Sequence, residues 1–321
     1  MSDKQCLVII VDCDHSSIEP EKTVLKDICA EVRWLNCRTE DEIIAQCADG
    51  EALLIQYAPM TRRVQESLPK CKIISRYGVG VDTIDLQAGA DLGIVVSNVP
   101  DYGTNEVSDH ALTMMLCLTR KVPQANAQVK SGQWDFRLMH PVRRHQTQTI
   151  GIVGIGRIGG AMAHKTHALG MKVLAHDPYA DPVNLPDYVT LVSLEDLLRQ
   201  ADVVSLHCPL TDETRNMIDE KKLCLMKPSA YLVNTARGSI VDEMALDKLL
   251  TEKKLAGAAM DVLATEPGAA THPLFKHDNF YCSPHMAWHS EEAAEELKRK
   301  AAEEARRVLL GEAPWYQVNK F

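Results

Sequence analysis

The chain has 321 residues, of which 45% are hydrophobic and 25% charged, and its formal net charge is −9. This length is sufficient for two domains, and the composition is typical of a globular protein. No apolar run reaches the roughly 18 residues that a membrane span needs, and the negative charge argues against a broad nucleic-acid-binding surface.

The first hundred residues alternate short apolar runs with helical stretches. Strands are predicted at residues 6–11, 31–35, 52–55, 72–75 and 94–96, and helices at 21–30, 41–47 and 61–68. Strands that are regularly separated by helices indicate a parallel, doubly wound sheet of the α/β class.

Residues 98–101 interrupt this alternation. A long connecting helix is predicted to start at Pro100 and to include the Leu- and Met-rich residues 106–120. Residues 132–147 contain Trp134, Pro141 and several Arg and His residues without a clear period, and they predict an extended loop.

The alternation restarts at Gln148. Strands are predicted at residues 148–153, 172–176, 189–191, 202–207, 230–234, 257–261 and 280–282, with helices at 193–199, 219–225 and 244–254. This number of strands is enough for a complete dinucleotide-binding sheet.

The last predicted helix, residues 291–310, has an apolar stripe, acidic residues in its first turn, and Arg306 and Arg307 in its last turn. We expect this helix to pack on the first domain, which makes that domain discontinuous. The predicted division is residues 1–100 with 289–321, and residues 101–288 with a linker helix at about 101–121.

The most specific motif is a glycine turn that follows the predicted strand at residues 148–153. It reads Gly154-Ile155-Gly156-Arg157-Ile158-Gly159. The first glycine permits a sharp turn, the second leaves room for a pyrophosphate, and the third allows close packing of the next helix. The N-terminus of that helix offers unpaired N–H groups to phosphates. The motif predicts a Rossmann-type dinucleotide-binding domain.

Asp177 ends the second strand of this unit, where a carboxylate can accept hydrogen bonds from the adenosine ribose and repel a 2′-phosphate. NAD is therefore the predicted cofactor, in preference to NADP.

A cation, a carboxylate and an imidazole follow successive strands of the second domain: Arg237, Glu266 and His285. Ligands bind beyond the carboxyl ends of such strands, and these groups are the set that reduction of a 2-oxo acid requires. Arg can bind the substrate carboxylate and polarise the carbonyl, His can donate the proton, and Glu can orient the imidazole ring. Taken singly, each residue also has a structural reading; their joint placement favours catalysis.

These segments resemble the D-isomer-specific 2-hydroxyacid dehydrogenase family, with the strongest similarity from Ile73 to Trp288. The resemblance includes Ser-Arg-Tyr-Gly-Val-Gly-Val-Asp at residues 75–82 and Asn-Val-Pro at residues 98–100. It implies a flavodoxin-like substrate-binding domain in addition to the NAD-binding domain, and transfer of a hydride between C4 of the nicotinamide and C2 of the substrate. It also implies that Arg237, Glu266 and His285 are catalytic, and that backbone N–H groups at Gly78 and Val79, with Arg76 nearby, bind the substrate carboxylate.

The resemblance also assigns cofactor contacts. It places Arg157 and Ile158 under the pyrophosphate; Cys208, Pro209 and Thr214 on the adenosine side; and Thr235, Ala236 and Asp261 near the nicotinamide ribose and carboxamide. With Gly154, Gly156, Gly159 and Asp177 these residues form the predicted NAD site.

Members of this family are usually homodimers formed through the cofactor domain, so residues 132–147 are either a dimer arm or a mobile surface loop. The end of the chain at Phe321 leads us to expect no C-terminal regulatory domain of the kind found in longer phosphoglycerate dehydrogenases. Glu266 argues against formate dehydrogenase, in which an amide accompanies the histidine.

A second hypothesis is an NAD-responsive scaffold similar to the C-terminal-binding-protein corepressors, whose turn resembles Pro-His-Met-Ala-Trp at residues 284–288. Oxidation of NADH by a 2-oxo acid would support the dehydrogenase, whereas peptide binding that depends on NAD would support the scaffold. A third reading, an S-adenosylhomocysteine hydrolase, is weaker because those chains are longer and lack this Arg–Glu–His order.

The sequence leaves the substrate open among glyoxylate, hydroxypyruvate, 3-phosphohydroxypyruvate and larger 2-oxo acids. Arg76, Arg143, Arg144 and His145 either supply cations for a phosphate or sulfonate or form a solvated cluster or dimer contact. Met286 and Trp288 either line the substrate pocket or belong to the core.

The ten cysteines predict neither a disulfide framework nor a metal site, because they include no Cys-x-x-Cys pair and no repeated spacing. The N-terminal residues lack the basic and apolar segments of an export signal. We therefore expect reduced thiols, no metal and a cytoplasmic location.

Overall fold

The computed structural model describes residues 6–28 and 30–321; residues 1–5 and Cys29 lie outside the described part. The chain divides into two compact units. The first combines the described residues up to Tyr102 with Ser290–Phe321, and the second is Gly103–His289.

The first unit contains a parallel sheet. Its strands are β1 (Leu7–Ile10), β2 (Glu31–Trp34), β3 (Ala52–Ile55), β4 (Ile73–Arg76) and β5 (Val95–Ser97). They lie in the order β2-β1-β3-β4-β5, and each neighbouring pair is parallel. This order is that of flavodoxin-like folds, so the predicted fold class of this part is confirmed.

Helices cover both faces of this sheet. They are α1 (Glu19–Leu25), α2 (Glu40–Cys47), α3 (Arg62–Glu66), α4 (Leu86–Leu92) and the last helix of the chain, α11 (Glu291–Leu309). Thr39 and Glu42 form a capping box that starts α2. In α11 the stripe that includes Leu297 and Ala301 is buried, and the helix packs against α1 and β4.

The second unit contains a larger parallel sheet. Its strands are β6 (Thr149–Val153), β7 (Lys172–His176), β8 (Val189–Leu191), β9 (Val203–Leu206), β10 (Tyr231–Asn234), β11 (Gly257–Met260) and β12 (Phe280–Cys282). The order is β12-β11-β10-β9-β6-β7-β8. From β6 the strands are added toward one edge as far as β8, and from β9 they are added toward the other edge, so the strand order reverses between β6 and β9. This is the Rossmann arrangement, and ligands bind at such a reversal point beyond the carboxyl ends of the strands.

Helices cover both faces of this second sheet. They are α5 (Thr104–Arg120), α6 (Val122–Lys130), α7 (Arg157–Ala168), α8 (Leu194–Gln200), α9 (Glu220–Leu223) and α10 (Glu243–Thr251). Successive residues of β10 point to opposite faces of the sheet and belong to different apolar cores. Leu232 packs with Leu197 and Leu246, whereas Val233 packs on the α5 side. A strand that is apolar on both faces is therefore required here.

Two sequence predictions need correction at the start and end of α5. The helix begins at Thr104 rather than Pro100, because Asp101 is hydrogen bonded to Lys300 and Tyr316 within the first unit. Residues 122–130 form a separate helix that the sequence analysis missed. Lys121, with φ of 53°, ends α5 and starts α6, and the predicted loop at 132–147 contains the short 3₁₀ turns Phe136–Met139 and His145–Thr147.

Within residues 6–28 and 30–321, none of the helices combines the length and apolar character required to cross a lipid bilayer.

Candidate active site

The glycine turn between β6 and α7 is formed by close backbone contacts. Gly154 has φ of 88°, and a Cβ at this position would lie 2.7 Å from the Cys208 nitrogen. A Cβ at Gly159 would overlap the carbonyl oxygen of Gly154, so the third glycine is required for α7 to start beside the strand. At Gly156, by contrast, an added Cβ would lie within 4 Å of no atom in the described part of the chain apart from its chain neighbours. The turn is therefore tight at its first and third glycines and open at its second.

The open space at Gly156 lies at the N-terminus of α7. Gly156 is the N-cap residue and provides no side chain to accept the first N–H groups of the helix. Arg157, which is exposed, and Ile158, which is half-buried, form its first turn. Uncapped N–H groups and the positive end of the helix dipole favour a phosphate at this position.

Asp177 follows β7 and contacts the glycine turn. Its Oδ2 accepts a hydrogen bond from the Ile155 nitrogen at 3.0 Å, and its Oδ1 accepts one from the Tyr179 nitrogen at 3.0 Å. The carboxylate is half-buried and lies beside the turn, as the sequence pattern requires for a ribose-binding acid.

The segment after β9 packs against the same turn. Thr214 Oγ1 donates to the Pro209 carbonyl oxygen at 2.7 Å and accepts from the Thr211 nitrogen at 2.8 Å. Burial raises the pKa of the Cys208 thiol to about 11, so this thiol is neutral at physiological pH. Cys208 and Pro209 thus lie beside Gly154 on the predicted adenosine side, and Thr214 is joined to them by its bond to Pro209.

A buried asparagine shapes the turn after β10. Asn234 is fully buried; its Nδ2 donates to the Arg237 oxygen at 2.9 Å, and its Oδ1 accepts from the Ala236 nitrogen at 3.0 Å. Arg237 Nη1 donates to the Ala236 oxygen at 2.8 Å. Asn234 was not identified from the sequence, although an amide at the end of a buried strand is a signal that a turn follows.

Thr235 and Gly238 complete this turn. Thr235 Oγ1 is buried and makes no hydrogen bond to any atom of the described residues. A Cβ at Gly238 would overlap the Leu263 carbonyl carbon, so glycine is required for the β10 turn to approach the loop after β11. That approach brings Arg237 toward the loop that carries Glu266.

Glu266 and His285 are directly paired. His285 Nδ1 lies 2.7 Å from Glu266 Oε2, and Glu266 Oε1 accepts a hydrogen bond from the Leu263 nitrogen at 2.9 Å. Partial burial raises the pKa of Glu266, but the hydrogen bond from His285 and the charges of His285 and Arg237 outweigh it, so the pKa is lowered overall. A carboxylate beside Nδ1 fixes the tautomer with a proton on that nitrogen, and Nε2 is then the ring atom that can exchange a proton.

Asp261 organises the turn that carries His285. Its carboxylate is buried and accepts hydrogen bonds from Ser283 Oγ, from the Met286 nitrogen at 3.0 Å and from the Ala287 nitrogen at 2.8 Å. These bonds give Asp261 a structural role in addition to its predicted contact with the nicotinamide, which stays a prediction.

Met286 and Trp288 flank His285 in different environments. Met286 is 45% exposed, whereas the Trp288 Nε1 donates to the His285 carbonyl oxygen at 3.1 Å. Trp288 therefore supports the turn, and Met286 is the more available of the two for a ligand.

In the first unit, the segment after β4 forms a constrained loop. Gly78 has φ of 129°, and an added Cβ would overlap the Arg76 guanidinium. The Asn98 Nδ2 donates to the Val79 oxygen at 2.7 Å, and the Val99 nitrogen donates to the Gly78 oxygen at 3.0 Å. The carbonyl groups of Gly78 and Val79 are thus both engaged by residues 98–99, and the Val79 side chain is exposed.

Arg143 is remote from Arg237, Glu266 and His285, which are called the trio below. It lines a cavity of about 770 Å³ with Tyr231 and Lys253, which lie at the N-terminal end of β10 and before β11. Arg237 and Glu266 follow the opposite, carboxyl ends of these strands. This location favours the surface or dimer-contact alternative for Arg143 over a role in binding a substrate phosphate.

Comparisons with known proteins agree with this geometry. Residues 112–287 match the model of the D-isomer specific 2-hydroxyacid dehydrogenase, NAD binding domain. The chain is 37% identical over 315 residues to a glyoxylate reductase of Thermofilum pendens, covering 94% of this chain and 92% of that protein. The chain belongs to the D-isomer-specific 2-hydroxyacid dehydrogenase family.

Two further relatives give the range of similarity. The chain is 35% identical to a D-3-phosphoglycerate dehydrogenase of Methanocaldococcus jannaschii, over 97% of this chain but 59% of that protein. It therefore spans less than two thirds of the length of that relative. A D-lactate dehydrogenase from Aquifex aeolicus, solved with NAD and lactic acid, superposes with a TM-score of 0.86 at 28% identity, covering 95% of this chain and 96% of that one.

Proposed function

We propose that the protein is an NAD-dependent oxidoreductase that interconverts a small D-2-hydroxy acid and its 2-oxo acid. The observation that carries this proposal is the 2.7 Å pairing of His285 Nδ1 with Glu266 Oε2, beside the turn that bears Arg237. The names of the relatives, which are glyoxylate reductase, D-3-phosphoglycerate dehydrogenase and D-lactate dehydrogenase, support the same reaction class.

The residues of the second unit fit NAD. The space at Gly156 accommodates a pyrophosphate, and the buried Thr235 Oγ1, which has no partner among the described residues, suits a polar group of the nicotinamide half. Asp177 would accept hydrogen bonds from the adenosine ribose, with Cys208, Pro209 and Thr214 nearby. When bound, NAD supplies a hydride acceptor at C4 of its nicotinamide ring, and NADH supplies the hydride.

The trio would provide the proton chemistry and the binding of the substrate. Arg237 binds the carboxylate of the substrate and polarises its carbonyl group. His285 donates a proton from Nε2 to the carbonyl oxygen during reduction and removes it during oxidation. Glu266 holds the ring through Nδ1 and stabilises the imidazolium.

We propose that the loop at Arg76, Gly78 and Val79 binds a carboxylate through its backbone N–H groups. The bonds of Asn98 and Val99 to the loop carbonyls support this role, because they fix the backbone and orient its N–H groups.

We also propose that the protein is a homodimer in which residues 132–147 form a contact arm. Trp134 and Phe136 are 88% and 78% exposed, and Leu138 and Val142 are exposed beside them. Large apolar side chains grouped in one exposed segment are typical of protein–protein contacts.

Oxidation of NADH, with NADPH in parallel, should be followed by absorbance across glyoxylate, hydroxypyruvate, 3-phosphohydroxypyruvate and larger 2-oxo acids. We expect turnover with NADH and at least one acid, and a loss of about 10²–10³-fold in kcat/KM in Arg237→Ala. The exposed Arg199→Ala serves as a control that removes an arginine outside the site.

If NADH binds tightly but is not oxidised with any of these acids, the oxidoreductase proposal is contradicted. A preference for NADPH would contradict the assignment of Asp177.

A further inference from the structure

We propose that His110 and Ser283 are positioning residues that act through Asp261 to fix the turn presenting His285. The proposal rests on the proposed role of His285. His110 lies on α5, and its Nε2 is 2.8 Å from Ser283 Oγ and 3.6 Å from Asp261 Oδ1. Ser283 Oγ in turn donates to Asp261 Oδ1. The three side chains therefore form a continuous chain from α5 to the strand end that precedes the catalytic loop.

The turn that receives this support has an unfavourable backbone conformation. His285 has φ of 53°, in the left-handed region that residues other than glycine rarely adopt. Its nitrogen donates to the Asp261 backbone oxygen at 2.8 Å, and the next two backbone nitrogens donate to the Asp261 carboxylate. A single buried aspartate thus holds three successive N–H groups, and the position of the His285 ring depends on where this carboxylate lies.

The role of His110 follows from the single proton of the Ser283 hydroxyl. A serine hydroxyl has one proton, and Ser283 gives it to Asp261. Ser283 Oγ must then accept from His110, so Nε2 of His110 carries a proton. An apolar side chain at position 110 would leave Ser283 without its donor and free to rotate away from Asp261. We infer that His110 keeps the hydroxyl aimed at the carboxylate, and that this sets the orientation of the His285 ring.

The test compares variants of the full chain. His110→Leu and Ser283→Ala each break the hydrogen-bonded chain from His110 through Ser283 to Asp261. His110→Gln keeps an N–H donor near the position of Nε2. Thr113→Ala is the matched control, because it removes an α5 hydroxyl that bonds to the Asp109 carbonyl one turn earlier. The readouts are kcat and KM for the acid that turns over, the dissociation constant of NADH from its fluorescence, and the ¹³Cε1 resonance of the His285 ring. That resonance is assigned by its disappearance in His285→Gln.

We expect His110→Leu and Ser283→Ala to move the His285 resonance and lower kcat by about 10- to 100-fold, with the NADH dissociation constant little changed. His110→Gln should restore both, Thr113→Ala should alter neither, and the double variant should be no worse than either single variant. The resonance is read without turnover, so it tests the positioning role even if no acid is reduced. A His285 resonance that is the same in His110→Leu and Thr113→Ala would overturn the proposal, as would losses that add in the double variant or that Gln fails to restore.

Discussion

At the scale of single residues, the proposed role of Glu266 in holding the His285 ring leads to a prediction about pH dependence. Its pKa lies below the ordinary value of a glutamate, so the carboxylate is ionised at neutral pH, and its pairing with His285 is lost only as the pH falls through that lowered pKa. In Glu266→Gln the imidazolium loses its negative partner at every pH. We expect kcat/KM for reduction to fall about 10²-fold, and the alkaline limb of its pH profile to move to lower pH.

Glu243→Gln provides the control for that prediction. Glu243 also supports the loop after β11, through the Ala264 nitrogen, but its second oxygen contacts His272 rather than His285. The alkaline limb should stay in place in Glu243→Gln. An unshifted limb in Glu266→Gln would show that Glu266 does not influence the catalytic proton.

Glu21 makes a separate residue-scale prediction about stability. Its side chain is fully buried; Oε1 accepts from the Tyr77 hydroxyl at 2.9 Å, and Oε2 has no partner among the described residues. Burial raises the pKa of Glu21 even though Tyr77 and Lys298 act to lower it. The folded state therefore favours the neutral acid, and stability is lost as the pH rises through the raised pKa.

Glu21→Gln is uncharged at every pH and keeps an acceptor for Tyr77. We expect it to gain about 1 kcal/mol at pH 8, or about 2 °C in Tm by calorimetry, and to gain much less near pH 4. Glu19→Gln, on the same helix but exposed, should show neither effect. A Tm difference that is the same at both pH values would refute the buried-charge explanation.

At the scale of elements, different glycines of the turn between β6 and α7 are expected to serve folding and cofactor binding. Gly159→Ala would force a Cβ into the Gly154 carbonyl oxygen and should destabilise the second unit strongly. Gly160→Ala places its Cβ 3.8 Å from the Ile155 carbonyl oxygen and should be tolerated. In Gly156→Ala the new methyl group meets no atom of the described residues within 4 Å apart from its chain neighbours, so the Tm should be unchanged.

The Gly156→Ala chain should nevertheless bind NADH at least about 10-fold more weakly, because the new methyl group occupies the space proposed for the pyrophosphate. Titration of NADH fluorescence measures this effect. Unchanged affinity would mean that the pyrophosphate lies elsewhere.

The strands and the glycine turn could be predicted because their signals are local. The strand at 52–55 is a continuous apolar run, and its predicted bounds match β3. The helix at 122–130 was missed because its separation from α5 depends on a single left-handed residue, Lys121, which leaves no periodic signal. The start of α5 was placed at Pro100 because the tertiary bonds of Asp101 cannot be read from neighbouring residues.

In the candidate active site, too, local signals could be predicted and tertiary contacts could not. Each member of the trio follows a recognisable strand, so its place in the sheet could be predicted, and the short His285–Glu266 distance agrees with it. His110, Asn234 and Ser283 were missed, because their importance comes from hydrogen bonds to turns rather than from a motif. His110 is separated from Ser283 by 173 residues, and no spacing rule connects them.

At the scale of the whole molecule, the exposed apolar arm predicts the assembly state. We expect light scattering to give a mass near twice 35.6 kDa for the wild type, and Trp134→Glu to shift it toward the monomer. Trp315→Glu, which alters an exposed tryptophan outside the arm, should remain dimeric. A monomeric wild type would rule out the arm as a stable contact.

Transfer of deuterium from NADH to the product tests the central claim most directly. NADH that carries deuterium at both positions of C4 should be incubated with the acid that turns over, and the product analysed by mass spectrometry and chiral chromatography. The trio and the family predict one deuterium at C2 of the hydroxy acid, and the D configuration for any product larger than glycolate. This product should be formed by the wild type and strongly reduced in Arg237→Ala. A product without deuterium at C2, or one of L configuration, would contradict the proposed function.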